Sequence, residues 1–183
     1  MTKSKNTIAW KDVNAVLSKH DKHELLMLLK SLYALNEENR IFFQTKYKLI
    51  DPLEPYKQVI SDSINPDLMD GQTIRLKEGR NAISRYKKAV GDADGTIELM
   101  IYYVECGNQL TLNYGDIYEE FYNSLESMFS SVVKKLKNSD KKTKDKYLPG
   151  LQKVVNEVNG LGWGYYDSLY SIYANAFGCD GLF

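Results

Sequence analysis

Little in this sequence points to covalent chemistry. Only two cysteines, Cys106 and Cys179, occur among its 183 residues. They lie far apart and match neither a metal-ligand nor a redox spacing, which argues against zinc ribbons, Cys-x-x-Cys centres and disulfide-stapled folds. Histidine is as scarce, with His20 and His23 the whole complement. His23-Glu24 opens a string like that of zinc proteases, but Met27 stands where the second histidine is needed. No apolar run is long enough to span a bilayer. The start, MTKSKNTIAWKD, lacks the apolar stretch of a secretory signal, so the cytoplasm is the expected location. Lys plus Arg and Asp plus Glu balance at 24 each, so no global charge draws the chain to nucleic acid or to a membrane. Sustained alternation of β-branched residues is also missing, which leaves no basis for a sheet.

What is abundant is helical patterning. Hydrophobic residues make up 43% of the chain, enough for a packed core. With four prolines and twelve glycines, long uninterrupted helices fit. Trp10, Val13, Val16 and Leu17 form one amphipathic stripe. Residues 25–33 form a second, apolar around more than half its surface. Asn36 is placed as the N-cap of a third helix. Later segments read as helices over about 56–64 and 73–90. A helix over 97–105, apolar nearly all round, is capped by Thr96, ended by Gly107 and buried at the centre. A long helix follows from Asp116 to about Lys137, and two more cover about 149–158 and 163–177. The expectation is all-α: one domain over 1–183, a compact bundle of about eight helices. Residues 1–7 are frayed, and a helical hairpin region over 8–50 packs on 53–183.

Charge is segregated along the chain. Residues 89–127 contain eight acids and no Lys or Arg. Before them, Lys77, Arg80, Lys87 and Lys88 project from one flank of the 73–90 helix, a candidate surface for phosphates or for an acidic protein face. The fourteen tyrosines suit half-buried helix faces and interfaces.

Two motifs invite chemistry and fall short at named residues. Asp92-Ala93-Asp94-Gly95-Thr96-Ile97 resembles the middle of an EF-hand loop. Val90 and Ile101 then occupy the positions of the first carboxylate and the bidentate Glu, so an acidic turn is the better reading. Gly160-Leu161-Gly162-Trp163-Gly164 resembles a dinucleotide loop, but a helix precedes it and Tyr165 stands where the third glycine belongs. No cofactor motif and no metal site emerge. The remaining candidate ligand or partner site is acidic and aromatic: Glu105, Tyr114, Asp116, Glu120 and Tyr122, facing Trp163, Tyr166 and Asp167. Asp116 and Glu120 are read as sharing a helix face, where carboxylates could bind a ligand or act as acid and base. Helix capping explains much of the same pattern.

The strings YYVECG (102–107), YGDIYEEFYNSLESMF (114–129) and GLGWGYYDSLYSIY (160–173), together with HELLMLLKSLYALNEENRIFF (23–43), resemble a bacterial all-helical family known only as a domain of unknown function. The resemblance covers most of the chain. It implies a small helical bacterial protein and brings no activity, cofactor or functional residue. The leading expectation is therefore a non-catalytic protein-interaction module, self-associating or meeting another protein. The alternatives are a ligand-binding or hydrolytic protein using the acidic–aromatic cluster, and weak nucleic-acid binding through the basic flank.

Overall fold

The computed structural model describes residues 8–161, 164–179 and 181–182. Among these residues there are nine helices and no strand. They are α1 (Trp10–Leu17), α2 (Lys22–Leu35), α3 (Glu37–Lys46), α4 (Glu54–Ile64), α5 (Leu76–Ala89), α6 (Ala93–Tyr114), α7 (Glu119–Lys137), α8 (Lys141–Glu157) and α9 (Tyr165–Phe177). The fold is all-α, a compact bundle.

The centre of the bundle is α6, which lies against α4, α5, α7 and α8. Residues 97–105 are its middle, and both ends lie outside the expected limits. Asp92 rather than Thr96 is the N-cap, its carboxylate accepting from Asp94 N at 2.9 Å and Gly95 N at 3.1 Å. Thr96 instead turns its hydroxyl back to the Asp92 carbonyl at 2.7 Å. Gly107 does not end the helix. It sits inside α6 because a Cβ there would overlap the Leu125 side chain of α7, so the missing side chain lets the two helices approach. The helix stops at Gly115, whose φ of 81° is one that glycine adopts without strain.

Other limits shift for similar local reasons. Asp140 caps α8 by accepting from Thr143 N at 2.8 Å, so the polar string before Pro149 is helical and Pro149 lies inside the helix. The long acidic helix begins at Glu119, with Tyr118 as N-cap, and Asp116 is left in the preceding loop. At the N-terminus the local signals act as read: Asn36 accepts from Asn39 N at 2.8 Å to start α3. Asp21 and Glu24 form a reciprocal capping box on α2.

Tyrosine supplies much of the core. Tyr56, Tyr86, Tyr103, Tyr122, Tyr147, Tyr165 and Tyr173 are buried. Burying such rings requires partners for their hydroxyls. Tyr86 donates to Asp92 Oδ2 at 2.6 Å, Tyr147 to the Asp94 carbonyl at 3.1 Å, and Tyr165 to Asn108 Oδ1 at 2.8 Å. Tyr103 and Ser124 share a bond of 2.7 Å between α6 and α7. Asn108, fully buried on α6, completes its own set by donating to the Val154 carbonyl of α8 at 2.9 Å.

The 8–50 region divides in two. Helix α3 lies on α5, with Thr45 buried, Ile41 packed on the core and Glu38 paired with Arg85. Helices α1 and α2 bury no residue.

Candidate functional site

The expected acidic–aromatic cluster is dispersed over several surfaces. Asp116 accepts from the Tyr122 hydroxyl at 2.9 Å, and Ile117 N donates to the same hydroxyl at 3.2 Å, which ties the α6–α7 loop to α7. Tyr122 is itself buried, its ring 5.0 Å from that of Tyr165. Asp116, Glu119, Tyr122, Asn123 and Glu126 line a depression of about 520 Å³, with Ser168 of α9 opposite. Burial pushes the Glu126 carboxyl up, opposed in part by a hydrogen bond from Ser168. This hollow can accept hydrogen-bond donors or cations. No His or Cys is among the described residues that line it, so a serine-type or cysteine-type nucleophile–base pair is not formed there.

Glu120 does not join Asp116. It lines a separate groove of about 600 Å³ between α5 and α7, opposite Lys77 and Arg80. The spacing rule that placed the two acids on one face needs both inside a helix, and only Glu120 is. Glu105 is elsewhere again, on the α6 flank that meets charges from Lys57, Glu98, Lys153 and Glu157. Its carboxyl is raised chiefly by burial. Tyr114, at the end of α6, donates to Asp67 at 2.9 Å, and that bond with two backbone amides holds the Asp67 carboxyl below its ordinary range. The Tyr166 and Tyr170 rings lie tilted against each other with centroids 5.9 Å apart, and Asp167 is an exposed acid in the first turn of α9. Trp163 lies outside the described residues.

The basic flank is also divided. Arg80 is committed within the fold, its guanidinium donating to the Ser124 carbonyl at 3.3 Å and hydroxyl at 2.9 Å. Lys77 shares that groove, Lys87 is exposed, and Lys88 lies beside Arg85 on a pocket of about 310 Å³ between α3, α4 and α5. The EF-hand-like segment is the α6 cap, with Asp92 occupied by two amides and the Tyr86 hydroxyl. Among the described residues no three His, Cys, Asp or Glu side chains converge as metal ligands would, and no helix is long and apolar enough to cross a membrane. Cys106 is buried, which pushes its thiol up to about 12, while Cys179 is exposed.

The surface that stands out chemically is the N-terminal arm. Ile8, Trp10, Val16, Leu26, Met27 and Leu35 are each at least half exposed, with Ile8 at 75% and Trp10 and Leu35 at 70%. Val13, Leu28, Leu29, Leu32 and Tyr33 add smaller exposures along the same two helices. Sequence reasoning identified these stripes and expected the 8–50 region to pack on 53–183; an apolar period reports amphipathicity and not what covers it. Neither a protein-family model, nor a curated protein, nor a solved structure matches the chain.

Proposed function

We propose that this protein is a non-catalytic interaction module that docks through α1 and α2. One observation carries the reading: these two helices bury none of their residues while holding a run of large apolar side chains in water. Monomeric proteins seldom expose many large apolar side chains in one segment without a partner for them. Helices of 8 and 14 residues are also marginal in water on local propensity alone, and packing of the apolar face normally supplies the difference. The rest of the molecule fits a scaffold role. Seven of its tyrosines serve the core, its acids cap helices or stand on separate surfaces, and Arg80 is used internally.

Site-specific photo-crosslinking in the native host tests this. A photoreactive side chain replacing Leu29 should give discrete protein adducts, and one replacing the exposed loop residue Met69 should give none. Equal absence of adducts from both positions would remove the basis for a docking arm.

A further inference from the structure

We infer that the partner of α1 and α2 is a second copy of this chain, so that the protein is an isologous dimer joined arm to arm. This rests on the docking role proposed above and specifies its occupant.

Area is the first argument. At roughly the area of an aromatic side chain each, about 150–250 Å², the fractional exposures of the large apolar residues from Ile8 to Leu35 sum to on the order of 1,000 Å² per chain. A standard stable interface takes about 800 Å² from each partner. The two helices together therefore expose apolar area of the size that one side of a dimer supplies.

Charge is the second. Between residues 8 and 35 four lysines (Lys11, Lys19, Lys22, Lys30) stand against three carboxylates (Asp12, Asp21, Glu24). An isologous interface sets the same patch against itself, so a strongly charged patch would repel its copy. This arm is close to neutral and mixed in sign, which permits self-pairing and offers a nucleic acid little net positive charge.

Geometry is the third. Apolar residues cover more than half of the circumference of α2. Helix α3 takes one side of it, through Asn39 Nδ2 to the Leu32 carbonyl at 2.6 Å and Tyr33 against Phe43 at 6.1 Å between ring centroids. The other side is open. Two α2–α3 hairpins set face to face close that side as a four-helix arrangement, the form in which antiparallel hairpins bury a shared core. The capping box of Asp21 and Glu24 supports the start of α2 within the chain itself, which lowers the ordering cost of association.

The test is the solution mass of the full chain by sedimentation velocity and light scattering from about 1 to about 100 µM. The expected mass is twice that of the 21.0 kDa chain at about 100 µM, falling toward one chain's mass at about 1 µM. Leu26→Glu combined with Leu29→Glu should weaken the dimer about 100-fold or more, because four half-exposed leucines are lost from one interface. Met69→Glu should leave it unchanged. Far-ultraviolet circular dichroism and the urea midpoint of the double variant, measured at monomer concentrations, keep loss of association separate from loss of folding. A strict monomer at about 100 µM overturns the inference. If the photoreactive residue at position 29 then captures a different protein, the docking reading survives and self-pairing does not. If it captures nothing, both fail. A monomer that instead partitions onto phosphatidylcholine–phosphatidylglycerol vesicles also overturns self-pairing, and a dimer indifferent to the Leu26 and Leu29 changes overturns this interface.

Discussion

Replacing Asn108 probes how this fold carries so many tyrosines in its core. Asn108 is fully buried, accepts from Tyr165 Oη at 2.8 Å and donates to the Val154 carbonyl at 2.9 Å. Asn108→Leu keeps the volume near its original value but strips partners from two buried groups, the Tyr165 hydroxyl and the Val154 carbonyl. Each orphaned group costs about 1–3 kcal/mol, partly offset by the apolar atoms that leucine buries. The net loss should be about 2–3 kcal/mol. Tyr165→Phe alone orphans only Asn108 Oδ1 and should cost about 1–2 kcal/mol. With both changes the Tyr165 hydroxyl is no longer present to be orphaned. The double variant should then be more stable than the sum of the singles predicts, by about 1–2 kcal/mol. Urea unfolding followed by circular dichroism at 222 nm reads all four proteins, and equal slopes are needed for the comparison. Additivity within about 0.5 kcal/mol would refute the reasoning, because it would mean the two side chains do not share a hydrogen bond in the folded protein.

Gly107→Ala should destabilise by about 1 kcal/mol net and lower the melting temperature by about 2–4 °C, since overpacking against Leu125 outweighs the better helix propensity of alanine. A stabilised variant would contradict the close approach of α6 and α7. Cys179 should react with a disulfide reagent at pH 8 within minutes, while Cys106, buried and with its thiol raised to about 12, should react only as the protein unfolds, read as one fast and one slow release of chromophore. Glu105 titrates above an ordinary Glu because burial disfavours its charge, so the stability it contributes is fully present below the ordinary Glu range and is lost as pH rises through the raised value. Glu105→Gln should therefore gain on the wild type toward pH 7 and lose that advantage toward acid pH, in urea midpoints measured across the range.

How far the sequence carries the account differs by element. Helix class was legible because period and local caps agree: Asn36 accepts the Asn39 amide, and residues 97–105 form the middle of a central helix. Glycine misled in α6. Gly107 has the composition of a helix end, but its use is set by Leu125 on another helix, which no local pattern reports. Thr96 has the chemistry of an N-cap and lost the role to Asp92, whose carboxylate accepts two amides and the Tyr86 hydroxyl at once. The pairing of Asp116 with Glu120 depended on where α7 begins, and a start at Glu119 removed Asp116 from the helix on which the spacing was counted. Least legible was the fate of the N-terminal stripes. Leu26, Leu29 and Leu32 carry the same pattern as a buried helix, and only the placement of α3 on α5 shows that one side of α2 is left open.

Hydrogen–deuterium exchange of the wild-type chain at two concentrations tests most directly whether α1 and α2 are an interface. At about 100 µM the α2 amides should be protected well beyond a free helix, and dilution to about 1 µM, or the Leu26→Glu, Leu29→Glu change, should release them while α6 stays protected. Rapid exchange of α2 at both concentrations, with α6 protected throughout, would contradict the arm-to-arm dimer.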